Sequence, residues 1–357
     1  MNMPRRDSKW WQRFLDKLSY AALTLVFPEM MLTIVVSQFV GAWRFAKEMN
    51  KIIDSRNEDG QSAQLEPHQG CPTASAITSH IPFENWNLTT AFFGIMGGFE
   101  VKFTGVETDS EGSKDVLTPK LLISLARGNM LPPVDNSVCK DRGKSDEIGK
   151  LFVVGQVTWF ILQCIGRKAA GLPVTLLEIN TSIHVACAIG IYGLMWFKPQ
   201  GASEALVIDV SKCPKCDQFI NENKQDLASK AENHVTVWHD EVDQRKLLGL
   251  TVIILGVIYG GLHTVAWDAH FPSYAEQILW RVSALFIIGW STILFLVLLD
   301  YLPDELNFIQ ELFTFFALVV FFAPRLYLVI EAFISVRSLP VGAYQTVDWV
   351  EFLPHIG

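Results

Sequence analysis

Three runs of this chain contain no Asp, Glu, Lys or Arg: 21 residues between Lys246 and Asp268, 19 between Glu178 and Lys198, and 18 between Arg281 and Asp300. A helix rises ~1.5 Å per residue, so each run in helical form matches a hydrocarbon layer ~30 Å thick. A spanning segment must satisfy its own backbone polar groups, which a helix does. Charged residues make up 18% of the chain, below the roughly 25% of an average soluble protein, which agrees with this reading. The expected fold is all-α: a polytopic transmembrane helical bundle of about six spans, with one long loop carrying a short interfacial or re-entrant helix.

The spans are expected at Tyr20 to Ala42, Leu151 to Gly166, Val174 to Phe197, Leu247 to Trp267, Trp280 to Leu299 and Leu312 to Phe333. The second is short and lies between Lys150 and Arg167, so it requires those two cations to snorkel to the interface. Around the spans the reading gives a basic segment at 1–19, a polar loop at 43–150, a second polar loop at 198–246 and a tail at 335–357. Spans 2 and 3 fall within 151–197, and spans 4 to 6 within 247–334. Within the long loop, residues 86–99 (WNLTTAFFGIMGGF) are apolar but too short to cross, which predicts an interfacial or re-entrant helix ending at Gly97-Gly98.

A formal charge of −8 offers no basic face for phosphates, so no nucleic-acid partner is expected. The lipid bilayer is. Cations flank both sides of the first span, so the positive-inside rule does not fix the orientation. The sequon Asn87-Leu88-Thr89 is a candidate glycosylation site that would report it. Asn180-Thr181-Ser182 lies inside an expected span and should be inert.

Ionisable groups within spans are costly and usually face partners or a cavity. Here they are Glu29, Glu178, His184, His263, Arg325 and Glu331. Glu29, Glu178, Arg325 and His263 are the candidate catalytic residues. The plainer reading is that Arg325 pairs across helices with Glu29 or Glu178. His263 and Trp267 share a helix face, but His263 and Asp268 do not, which favours a packed histidine. Gly256 and Gly260 form a G-x-x-x-G that lets another helix approach closely.

Cys213, Cys216, His234 and His239 have the ligand order of a zinc site, with a central spacing longer than the usual finger. A redox or disulfide pair at Cys213 and Cys216 is the alternative, beside an unpaired loop. Cys71 and Cys139 share one long loop and could be linked if it is lumenal. The chain contains no H-E-x-x-H, Walker A, G-x-G-x-x-G, G-x-S-x-G or D-D-x-x-D. No cofactor is expected.

Several blocks resemble a large family of uncharacterised fungal multi-pass integral membrane proteins. They include Phe27-Pro28-Glu29, residues 92–99 (FFGIMGGF), Leu117-Thr118-Pro119 with Lys144-Ser145-Asp146, and residues 156–165 (QVTWFILQCI). Residues 172–178 (LPVTLLE), Tyr192 to Pro199, His263 with Trp267, Leu279-Trp280-Arg281, Arg325 to Glu331 and Arg337 to His355 continue the match. The chain departs at Thr90-Ala91, where a Thr-His pair often precedes the two Phe, and in a shortened Lys144 block.

Some members of that family are similar to membrane proteins encoded in indole-diterpene and other specialised-metabolite clusters. The resemblance implies an endomembrane protein, in the endoplasmic reticulum or a related membrane, acting as an accessory in such a pathway beside other membrane-bound enzymes. Two alternatives stand beside it. One is a transporter or channel for a lipophilic small molecule; the other is a membrane-embedded cyclase or isomerase using a buried carboxylic acid such as Glu29 or Glu178.

Overall fold

The computed structural model describes residues 10–62, 84–102, 114–137, 147–199, 205–209, 213–223, 241–298 and 307–349. It is mostly helical, and its contacts divide the chain into two units. One contains residues 1–13, 37–147 and 195–244; the other contains 14–36, 148–194 and 245–357.

The first unit is built on α2 (Pro28–Ser62), which crosses from one unit to the other at Val36. Ala42, Phe45, Ala46, Met49 and Ile53 recur at helical spacing and are all buried, so one stripe of α2 forms the floor of a core. On it lies α3 (Leu88–Ile95), started by Asn87, whose side chain accepts the Thr90 N–H at 2.8 Å. Gly97 ends the helix at φ 81°, a left-handed conformation that suits glycine.

β1 (Phe99–Lys102) follows, then β2 (Lys114–Val116) and α4 (Pro119–Arg127). Thr118 caps α4 by accepting the Leu121 N–H, and Leu121, Leu122 and Leu125 face inward. β1 pairs antiparallel with β2 and parallel with β3 (Leu206–Asp209), in the order β2-β1-β3. The short helix α7 (Pro214–Glu222) adds Cys213, Cys216 and Ile220 to the same core. At its centre Trp86 stacks on Phe99 at 5.5 Å and meets Phe45 edge-on, while Phe93 meets Phe99 edge-on.

This unit corrects three expectations. The fold is not all-α, because a mixed three-stranded sheet is present. Its strands have four, three and four residues, too short to leave a readable alternation, and β3 comes from the second expected loop. Residues 43–62 continue α2 and do not begin a loop. The segment expected to lie in an interface is α3, and Thr90 through Gly94 are buried in protein. A helix apolar on every side is buried wherever a protein core can take it.

The second unit contains α1 (Trp10–Val26) from Phe14 onward, the start of α2, α5 (Glu147–Ala169) from Ile148 onward, and α6 (Leu176–Leu194). α8 (Glu241–His263), α9 (Tyr274–Leu298), α10 (Asn307–Ile334) and the turns Ser335–Ser338 and Val341–Tyr344 complete it. Among the described residues, two segments are long and apolar enough to cross a membrane: Leu176–Leu194 and Leu247–Ala266.

The first expected span is broken at Phe27: Leu18–Val26 and Pro28–Glu58 meet at a bend of 112°, as one broken span or a re-entrant loop. Pro28 has no N–H to continue the helix, and its ring restricts Phe27. The remaining expected spans fall within α5, α9 and α10, although Leu299 lies outside the described residues.

The core of this unit gathers Leu176, Ile183, Tyr259, Trp280, Ile287 and Leu328. The G-x-x-x-G of α8 meets α9 of the same chain. A Cβ on Gly256 would lie 2.0 Å from Ser291 Oγ, and one on Gly260 would lie 2.9 Å from the Ala284 carbonyl and 3.1 Å from the Ile288 nitrogen. Because backbone atoms oppose Gly260, the neighbour cannot yield by rotating a side chain. Gly260→Leu is therefore expected to destabilise by about 1–3 kcal/mol, and Gly261→Leu, with nothing within 4 Å of its added Cβ, far less. Thermal unfolding of both variants in detergent checks this; equal losses would show that the close approach does not matter.

Candidate functional site

The break at Phe27 places Glu29 in the first turn of α2, facing α10. There Arg325 follows Pro324, the proline inside that helix. Both side chains are buried, and the Arg325 guanidinium forms an ion pair with the Glu29 carboxylate. The guanidinium also lies over the rings of Phe321 at 4.1 Å, Tyr259 at 5.2 Å and Phe27 at 5.3 Å. Its charge is thus met by a carboxylate and three aromatic faces.

Glu178 goes elsewhere. Its Oε2 accepts the Thr175 N–H at 2.8 Å and the Thr175 hydroxyl at 3.1 Å, while the Thr175 oxygen accepts the Glu178 N–H at 3.2 Å. This reciprocal arrangement is a capping box at the start of α6. Its other oxygen lies 3.3 Å from Arg167 Nε. Arg167 is buried and donates to the carbonyls of Gln345 at 2.6 Å, Pro173 at 3.0 Å, Ala343 at 3.1 Å and Gly342 at 3.3 Å.

Where the short second span was expected to have Arg167 snorkel to an interface, its guanidinium is taken up within the protein by carbonyls and by Glu178. It ties the end of α5 to the start of α6 and to the tail. Nearby, Trp349 Nε1 donates to Gln163 Oε1 at 3.1 Å and its ring meets Trp159, which docks the tail along α5.

His263 is a packed histidine. Its Nδ1 lies 2.8 Å from the Tyr259 carbonyl, its Nε2 lies 3.3 Å from Asn180 Oδ1, and its own carbonyl accepts the Trp280 indole N–H at 3.0 Å. Asp268 turns to Arg281 at 3.3 Å, and Arg281 also donates to the Trp267 carbonyl at 2.8 Å and covers the Trp267 ring. The ring nitrogens of His184 stand 2.8 Å from the carbonyl oxygens of Asn180 and of Leu25, the latter just before the break at Phe27.

Glu331 is buried near Tyr327, Glu276 and Arg337, and Arg337 pairs with Glu276. For Glu276, desolvation works against ionisation, but hydrogen bonds and the Arg337 charge outweigh it and hold the carboxyl below its usual range.

Beside these pairs, the second unit has an open cleft of about 990 Å³. Ile161 and Ile165 of α5, Ile179 and Ile183 of α6, and Val265 and Trp267 at the end of α8 line it. Lys168, Asp268 and His270 supply polar groups, and Ser182 donates to Cys164 Sγ at 3.6 Å. None of Glu29, Glu178, His263 and Arg325 lines the cleft. A volume of this size suits an apolar small molecule.

Of the zinc candidates, Cys213 and Cys216 are adjacent and buried in the first unit, whereas His234 and His239 lie outside the described residues, as do Cys71 and Cys139. Among the described residues no three His, Cys, Asp or Glu side chains gather in a way that could hold a metal ion. Asn87, the glycosylation candidate, is exposed.

These observations define a mostly helical protein with membrane-length apolar helices, internally paired charges and an apolar cleft. The chain belongs to a family of unknown function (DUF8562), which it matches over residues 1–221 and 303–356. No curated protein and no solved structure matches it.

Proposed function

We propose that this chain is a multi-pass membrane protein of the endoplasmic reticulum or a related membrane, with about six crossings. In this reading it serves fungal specialised metabolism, of terpenoids above all, as an accessory that holds a lipophilic intermediate in the cleft of its second unit. The observation that carries it is the division of labour in that unit. The buried guanidinium groups of Arg325 and Arg167 each meet a carboxylate, Glu29 and Glu178 respectively, while most of the cleft wall is apolar.

A bilayer location is supported by the outer faces of the helices. Phe322, Leu326, Ile330 and Phe333 follow one face of α10 and are all exposed, as are Leu250 and Ile254 on α8. Such a surface suits lipid better than water. A cyclase or isomerase would need a free acid in an apolar pocket; Glu29 and Glu178 each face an arginine, and the buried Glu331 does not line the cleft, which favours a holding role. Transport of a lipophilic molecule would draw on the same cleft.

Metabolite profiling tests the proposal. A deletion strain should lose one product and accumulate its precursor, and Ala186→Trp, which projects an indole into the cleft from an exposed position, should reproduce that profile at normal protein abundance. An unchanged profile in the deletion strain would remove the pathway role. A normal profile with Ala186→Trp would remove the cleft.

A further inference from the structure

Cys213 and Cys216 have no part in the cleft or in the buried ion pairs, yet they are among the most buried side chains of the first unit. Cys213 is the N-cap of α7, with φ −113° and ψ 100°, so its side chain turns back over the first turn. Pro214 presets the first helical residue, and Cys216 stands three residues after the cap on the same face. The Cys216 N–H points at Cys213 Sγ at 3.4 Å, and the two sulfurs are 2.6 Å apart. The sulfurs are about half an ångström further apart than the ~2.05 Å of a sulfur–sulfur bond.

Ile220 of α7, Ile208 of β3 and the aromatic residues Phe92, Phe93 and Phe99 belong to the same buried core as the pair. The exposed Asn87 sequon belongs to the same unit, at a position open to a glycan.

We propose that Cys213 and Cys216 close an intrachain disulfide while the first unit folds, and that this unit lies on the oxidising, lumenal side of the membrane. One cysteine thiolate attacks a disulfide-bearing oxidant, a small-molecule or protein disulfide, and expels one thiol. The other cysteine attacks the resulting mixed disulfide and expels the second. Two protein S–H bonds become one S–S bond, and the oxidant is reduced to two thiols that carry the protons. Such bonds persist in the lumen and are reduced in the cytosol. A bridge enclosing only two residues constrains little of the unfolded chain, so it locks the first turn of α7 against the core.

The side assignment rests on the membrane reading above, whereas the bond itself does not, and the thiol state is read independently of any metabolite. The full-length protein, expressed in a fungal host, is denatured in N-ethylmaleimide without reductant, digested and examined by mass spectrometry. The peptide holding both cysteines should be unalkylated and lighter by two hydrogens than the reduced form, and Cys213→Ser should leave Cys216 free to be alkylated. Alkylation of both cysteines in the untreated protein would overturn the proposal.

Discussion

Arg325→Met should lose about 3–5 kcal/mol of stability, because it leaves the Glu29 carboxylate buried without its counter-charge. The loss of the guanidinium contacts with Phe27, Tyr259 and Phe321 adds to it. The matched neutral pair, Glu29→Gln with Arg325→Met, should recover most of this, since replacing both charges removes the desolvation problem together with the attraction. Thermal unfolding in detergent and steady-state abundance measure both variants. If the single variant behaves like the parent, the pair contributes nothing to the fold. If the double variant is as poor as the single one, the arginine acts through its aromatic contacts.

Trp280→Ala should cost a similar amount, about 3–5 kcal/mol, since the indole is fully buried between α9 and the end of α8. Trp280 meets Phe271 edge-on at 5.8 Å and donates its N–H to the His263 carbonyl, at the point where α8 gives way to a tighter turn. Trp280→Phe keeps most of the apolar contact and loses that hydrogen bond, so it should cost less, about 1–2 kcal/mol. Equal losses for Phe and Ala would place the energy in the hydrogen bond and not in the packing.

The apolar helices were legible because uninterrupted apolar runs leave few alternatives. The partnership of Arg325 with an acid was legible for a related reason: buried charges of opposite sign in apolar surroundings must find each other. Sequence could not choose between Glu29 and Glu178, and the structure chooses through local chemistry. Thr175 stands three residues before Glu178, the spacing of a capping box, a signal the sequence carries beside the charge.

Arg167 was hidden for a different reason. Three of its four carbonyl partners lie more than 170 residues away, and a carbonyl leaves no mark in a sequence. The sheet was hidden because its two partner strands come from segments on either side of α5 and α6, each too short to show a period of two. The amphipathic stripe of α2 from Ala42 to Ile53 was readable, but the Lys and Glu residues between its apolar positions made the segment look like a loop.

The parallel pairing of β1 with β3 has a consequence of parity. Strands that exchange hydrogen bonds must be on the same side of a bilayer, so whatever chain runs from Lys102 to Leu206 crosses it an even number of times. α6 is apolar and long enough for one of those crossings. A single crossing would tear the sheet apart, so in the proposed membrane reading the 23-residue α5, cut short in sequence by Lys150 and Arg167, would make the return. The two must enter the membrane together or not at all, joined by the tight turn at Gly171 that Arg167 holds closed through the Pro173 carbonyl.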